Sequence, residues 1–229
     1  RDDALLSIER FATSKIRDVD DIETVATLGF RGEALAAISS VSRFSLKTRL
    51  AENLSGTEIT MSAGKITEVK DIGHPAGTSI EVRNLFFNVP ARLKFLRTPE
   101  TELAHIKHVF MLYAMANPAS GMSLTADGRK IYAHASGADL KTRLNSMFRA
   151  SELMELKELA FSSGVTKITG YAALPSYSRT DRSEQFVFIN GRPAMAAVVH
   201  NAIRESYPTL LPHGRFPAIF MFISISPDM

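Results

Sequence analysis

The 229-residue chain has no cysteine, which removes disulfide bridges and thiolate metal sites and leaves the compartment open. It also lacks any run near the ~20 apolar residues of a membrane-spanning helix. Its most apolar stretch, residues 216–225, is short and broken by Pro217. No internal repeat or low-complexity tract is visible, nor is a secretory signal, which a chain starting inside a domain would not show at Arg1. Neither sign of charge is in large excess: 27 Lys and Arg against 24 Asp and Glu leave +3. The pI of about 9.2 allows a nucleotide or nucleic-acid partner without demanding one. At 45% hydrophobic content, the length supports one large domain or two modest ones with a sizeable core.

The most informative run present is Gly29-Phe30-Arg31-Gly32-Glu33-Ala34-Leu35. Two glycines on a turn, with an arginine between them and a helix-forming stretch behind, leave unpaired backbone N–H groups where anions bind. Gly29 and Gly32 permit positive φ and close backbone approach, and Arg31 brings a fork suited to phosphate oxygens. On spacing alone the same run also reads as a plain helix start. Upstream stand Thr13, Ser14 and Lys15, two hydroxyls and an ammonium; downstream, Gly77-Thr78 opens a strand-like run. Taken by itself, Thr78 is a β-branched strand residue beside a turn glycine.

Hydrophobic periodicity predicts the elements. Residues 3–11 read as the tail of a helix, and residues 17–27 as a polar, acidic connector. Residues 40–48 alternate as a half-buried strand, residues 56–72 form a hairpin turning at Ala63-Gly64-Lys65, and a strand follows from residue 77. Residues 99–117 are the clearest helix, with Leu103, Ile106, Phe110 and Tyr113 as its apolar stripe. A hairpin at 122–134 folds at Asp127-Gly128. Ser136-Gly137-Ala138 is the expected boundary, giving domains 1–136 and 137–229. Beyond it come a helix at 139–148, a strand at 165–174, a turn-rich loop, a strand at 184–189, a helix at 194–207 and a strand at 216–225. Ala196, Val199, Ile203 and Tyr207 share a core-facing side of the last helix.

The segments at residues 12–16, 29–41, 77–78, 84–97 and 188–193 together, in this order, closely resemble the ATPase region of the MutL family of DNA mismatch-repair proteins, a branch of the GHKL superfamily. The resemblance implies an α+β fold: an incomplete GHKL-type α/β sandwich, mainly antiparallel sheet with helices on one face, followed by a ribosomal-protein-like α/β second domain. It implies that Thr13, Ser14 and Lys15 open an ATP lid and that Gly29, Phe30, Arg31, Gly32, Glu33, Ala34 and Leu35 form its far hinge and phosphate-facing turn. Thr78 resembles the family's threonine at the adenine pocket, and Arg192 of Asn190-Gly191-Arg192 resembles its DNA-contacting arginine.

The implied cofactors are ATP and Mg²⁺, and the implied partners are DNA, a MutS-type mismatch-recognition protein, and a second copy or a paralogue. The setting would be cytoplasmic in a bacterium or nuclear in a eukaryote, without a membrane. The family's water-activating glutamate, Mg²⁺-holding asparagine and adenine-gripping Asp-Asn-Gly have no counterpart here, nor does its His-Pro-x-Lys lysine. The expectation is therefore a chain that begins within the ATPase domain and does not turn over ATP, since lid residues replace neither base nor metal. Phe11 and Val89 stand where many relatives have histidine and threonine, a matter of subfamily.

Other candidates have plainer readings. Arg92, Lys94 and Arg97 face water while Leu93, Phe95 and Leu96 dock into the core. His105 and His108 have metal-ligand spacing without a third ligand and read as surface residues. The alternative functions are a topoisomerase ATPase fragment and a non-enzymatic DNA-binding module centred on Arg192.

Overall fold

The computed structural model describes residues 1–15, 29, 31–207 and 209–226, so the expected acidic connector and Phe30 lie outside the described residues. By compactness the chain divides into two units, Arg1–Thr98 and Pro99–Met229.

The first unit is a helix-covered antiparallel sheet. Helices α1 (Asp2–Leu6) and α2 (Ala34–Ser40) precede strands β1 (Arg43–Arg49), β2 (Gly56–Ser62), β3 (Lys65–Ile72) and β4 (Gly77–Arg83), ordered β3-β2-β1-β4. All three pairings are antiparallel. The period-2 pattern works as expected: Phe44 and Leu46 of β1 point to the same side as Ile59 and Met61 of β2, and Ala4, Leu5, Ile8 and Leu35 cover them. The β2–β3 turn uses Ala63 at φ 51° and Gly64 at φ 81°, the signs that match the strands' own twist.

Helix α1 ends earlier than its periodicity predicts. The Ser7 hydroxyl donates to the Ala4 carbonyl at 2.8 Å, a local bond that competes with helix continuation. Phe11 then takes φ 63° and is 73% exposed. Residues 84–97 differ from expectation as well. Phe86 N–H donates to Val41 O at 2.6 Å and the Asn88 amide to Ser40 O at 2.9 Å, so the segment closes the end of α2 over β1. Its short helix α3 (Pro90–Lys94) buries no residue, and Leu93, Phe95 and Leu96 are 48%, 85% and 41% exposed rather than docked.

The second unit opens with α4 (Pro99–Ala116) and the hairpin β5 (Met122–Ala126) and β6 (Arg129–His134). Short helices α5 (Leu140–Asn145) and α6 (Ala150–Leu153) lead to β7 (Leu156–Ser163) and β8 (Thr166–Ala173). Then come β9 (Ser178–Arg179), β10 (Gln185–Ile189), β11 (Arg192–Pro193), α7 (Ala197–Ser206), β12 (Phe216–Pro217) and β13 (Ile219–Ser224). The main sheet runs β11-β10-β13-β8-β7, with β10 and β13 parallel and α7 lying between them in the chain. The Asp139 carboxylate caps α5 by accepting from Thr142 N at 2.7 Å.

Met115, Leu144, Phe186, Phe188 and Phe220 form the core, which places α4 and the β5–β6 hairpin in the same unit as the later strands. The face of α4 differs from the expected stripe. Met111, Leu112 and Met115 pack inward, while Ile106 and Tyr113 are 51% and 37% exposed and Phe110 stacks on Tyr132. On α7, Val199, Ile203 and Tyr207 do share the buried side, against Val187 and Ile219.

A polar cluster ties the turn-rich loop to this unit. Arg179 donates to Glu152 at 3.0 Å and pairs with Glu184 at 2.5 Å, and the Tyr177 hydroxyl donates to Glu184 at 2.8 Å. Burial first, then Glu184, pushes the Tyr177 phenol up. Glu152 is pushed up by burial but pulled further down by the Arg149 backbone N–H and by Arg179, ending below the ordinary 4.5. Its contribution is thus complete above pH 4.5 and is lost as pH falls through the lowered folded-state value. The thermal midpoint should fall on acidification below pH 4.5, and Glu152→Gln should flatten that fall in scanning calorimetry.

Candidate functional site

Within the first unit a cavity of about 900 Å³ has the two expected hinge segments as its walls. Thr13, Ser14 and Lys15 line one side; Gly29, Arg31, Gly32, Glu33, Ala34 and Leu35 line the other, with Asp3, Leu6 and Ser7 of the α1 region between them. Lys15 N–H donates to the Thr13 hydroxyl at 3.2 Å, a local turn that sets both polar groups at the wall. Helix α2 starts at Ala34 with Glu33 as N-cap and no side-chain cap, and its first intrahelical bond is Ala37 N–H to Glu33 O at 2.8 Å. The amides ahead of Ala37 therefore have no partner within the helix. Leu35 packs its side chain on the core, so only its backbone can serve a ligand.

Gly32 joins the two walls. It has φ 62°, and a Cβ at this position would stand 2.1 Å from the Ala12 carbonyl oxygen and 2.6 Å from its carbon. Only glycine lets the far hinge lie against the backbone of the near one.

Thr78 is not among the described residues lining this cavity. It stands opposite Thr48 in the β1–β4 register, hydroxyl to hydroxyl at 2.8 Å. Arg192 lies in the second unit, in β11, across a tight turn of Asn190 (φ 48°) and Gly191 (φ 75°) from Ile189. Asn190 fixes that turn: its N–H donates to Ile223 O at 2.8 Å, its side-chain amide to Ile225 O at 3.1 Å, and its side-chain oxygen accepts from Ile225 N at 3.0 Å. Asn190→Ala should cost about 1–2 kcal/mol in urea denaturation through the lost bonds and the disfavoured positive φ.

The family model "DNA mismatch repair protein, C-terminal domain" matches residues 144–229. A DNA mismatch repair protein MutL of Citrifermentans bemidjiense is 43% identical over 227 residues, covering 99% of this chain and 35% of that protein. The Aquifex aeolicus MutL ATPase domain complexed with ADP superposes with TM-score 0.68 at 29% identity, covering 92% of this chain and 76% of that one. The chain belongs to the MutL family of DNA mismatch-repair proteins.

The chain spans 35% of the length of that curated MutL relative. The ATPase region of Saccharomyces cerevisiae topoisomerase II shares the fold alone, at 12% identity and TM-score 0.58, covering 98% of this chain and 58% of that one. The MutL likeness, not the topoisomerase one, therefore extends to sequence. The fold class is the α+β architecture expected of a GHKL-type MutL domain, with mainly antiparallel sheets.

One buried residue in this MutL chain was missed by sequence reasoning. Arg143 is 1% exposed, and its guanidinium donates to Pro118 O and Ser120 O at 2.6 Å each and to Ala135 O at 3.3 Å. Burial lowers its pKa. The available signal was its place in α5 directly before the buried Leu144. Among the described residues no group of three or more His, Asp or Glu could hold a metal.

Proposed function

We propose that this chain supplies the lid hinges and phosphate-facing turn of a MutL-type nucleotide switch, and that the second unit offers Arg192 to DNA. The observation carrying the first part is the cavity whose two walls are the two hinge segments, held together at Gly32 and Ala12. The residues fit a triphosphate end: Lys15 and Arg31 bring cationic donors, Thr13 and Ser14 bring hydroxyls, and Gly32 to Leu35 bring backbone N–H groups at a helix start. Thr78 is proposed for the adenine side, reached by a base extending along the sheet end.

ATP, when bound, supplies the terminal phosphoryl charge that these donors recognise. Closing of the hinge pair over that charge would favour one of two lid arrangements and complete a surface for pairing with a second copy or a paralogue. DNA would be held in the resulting clamp, in the company of a MutS-type protein, on the chromosome of a bacterial cytoplasm or of a nucleus. No group of three or more His, Asp or Glu able to hold a metal stands among the described residues, and residues 1–229 contain no Asp-Asn-Gly. Turnover of ATP is accordingly expected only where a base, a metal ligand and an adenine loop are supplied. The division at 136 and 137 is kept as a proposal for the two building blocks, and a family-model match starting at residue 144 supports it.

The test is calorimetry with a non-hydrolysable ATP analogue on the chain and on a form lengthened upstream of Arg1. The lengthened form should bind, and Lys15→Ala should weaken binding about tenfold or more. Nucleotide-blind, salt-sensitive DNA binding by both forms would instead favour the DNA-binding module. For the DNA contact, Arg192→Ala should lower affinity alike for all sequences and reduce the salt slope by about 1.

A further inference from the structure

The second unit contains a cavity of about 550 Å³ that the nucleotide reading does not use. It lies between the last turns of α7 and the segment leading into β12. Its floor is apolar: Ile203 and Pro217 are buried, Phe216 is half-buried, and the Tyr207 ring contributes a face because its hydroxyl is committed to Ala173 O at 2.8 Å. Around this floor stand three guanidinium groups, Arg182, Arg204 and Arg215, against one carboxylate, Glu205.

The three arginines are not equivalent. Arg215 is held by Ser178, with Nε 3.2 Å from the hydroxyl and a terminal nitrogen 2.6 Å from the carbonyl. Arg182 stacks over the Phe216 ring at 5.2 Å, which fixes its plane and leaves its edges as donors. Arg204 has no ion pair among the described residues, although it stands in the last turn of α7 with Glu205 as its neighbour. His200 lines the same cavity, with its Nδ1 buried and without a hydrogen-bond partner.

We propose that this cavity is a binding site for a small amphipathic anion, a phosphate or carboxylate group carried on an aromatic or apolar body. Guanidinium forks recognise the anionic head, and Ile203, Tyr207, Phe216 and Pro217 receive the body. The volume lies in the ~300–1,000 Å³ range of small-ligand sites, and an apolar chamber with a few convergent donors is the form such sites take. An open track for a polyanionic backbone would not need the enclosed floor. The residues that line it all belong to the second unit.

The test titrates phenyl phosphate, benzoate, inorganic phosphate and phenol into the full chain at constant ionic strength, followed by backbone NMR. Saturable one-to-one binding of phenyl phosphate or benzoate is expected, with shifts at residues 182, 200, 204 and 216. Inorganic phosphate and phenol alone should each bind about tenfold more weakly or worse. The relative strength of the two aryl anions assigns the head group as phosphate or carboxylate. Arg204 is exposed, so Arg204→Ala should leave the melting curve unchanged and weaken binding about tenfold or more, with Arg204→Lys between. Arg192→Ala should change nothing. No saturation by about 10 mM, or an Arg204→Ala variant that binds like the parent, overturns the proposal. Displacement by a single-stranded oligonucleotide, with equal loss in Arg192→Ala, also overturns it, because the cavity would then be part of a nucleic-acid surface.

Discussion

Gly32→Ala is expected to lower affinity for a non-hydrolysable ATP analogue by about two orders of magnitude, close to 3 kcal/mol, while leaving the unit folded. Two costs coincide at this position. The positive φ of 62° disfavours any L side chain by ~1–2 kcal/mol. The larger cost is steric: a Cβ 2.1 Å from the Ala12 carbonyl oxygen cannot be relieved by a rotamer change, since the obstacle is backbone. One hinge must move away from the other, and the donors at Lys15 and at the start of α2 then no longer converge. Gly29→Ala is the control, because a Cβ there meets nothing within 4 Å, and it should bind within a few-fold of the parent. Calorimetry on the lengthened form reads both. Equal binding by Gly32→Ala and the parent would show that joined hinges are not what organises the site.

Arg143→Ala should destabilise the second unit by about 3–5 kcal/mol, the largest stability effect expected of a single side chain here. Arg143 is 1% exposed, and among the described residues no carboxylate pairs with it. It serves as a common donor to the carbonyls of Pro118, Ser120 and Ala135, which come from the turn after α4 and the segment after β6. Truncation leaves three acceptors without their partner and opens a cavity where the buried side chain stood. Arg143→Lys should recover only part of the loss, since an ammonium lacks the planar fork. In urea denaturation the midpoint should drop with an unchanged slope. A loss under about 1 kcal/mol for Arg143→Ala would mean that water satisfies these carbonyls instead.

Elements with a strong local cause are legible in the sequence. The alternation of Phe44 and Leu46, and the hairpins at Ala63-Gly64 and Asp127-Gly128, follow from pleat geometry and from residues that tolerate positive φ. Strand β7 was not legible. It is an edge strand whose Lys157, Glu158, Ser162 and Ser163 carry little β preference, and it exists because β8 offers it a ladder. The face of α4 was misread because apolar residues occur on several sides of that helix, and contact with Leu144 and Phe186 decides which of them is inside.

At the candidate site, the motif residues are named by likeness to a family; Thr13 to Lys15, Gly29 and Arg31 to Leu35 line one cavity, whereas Thr78 and Arg192 stand elsewhere. The contact of Gly32 with Ala12 was not legible, because no periodicity encodes an approach between distant backbone segments. Arg143 was hidden for a related reason: an arginine late in a short helix reads as solvated, and its burial depends on carbonyls supplied by two separate turns.

The position of β13 has a consequence for biosynthesis. This strand comes after β8 and β10 in the chain, yet it lies between them in the sheet, bonded to β10 on one side and β8 on the other. Until residue 224 clears the ribosomal tunnel, β8 and β10 both present an open edge with nothing between them. The nascent sheet therefore waits, half-zipped, for its central strand, and that interval is when chaperone capture or mispairing with a neighbouring polypeptide competes most strongly with folding.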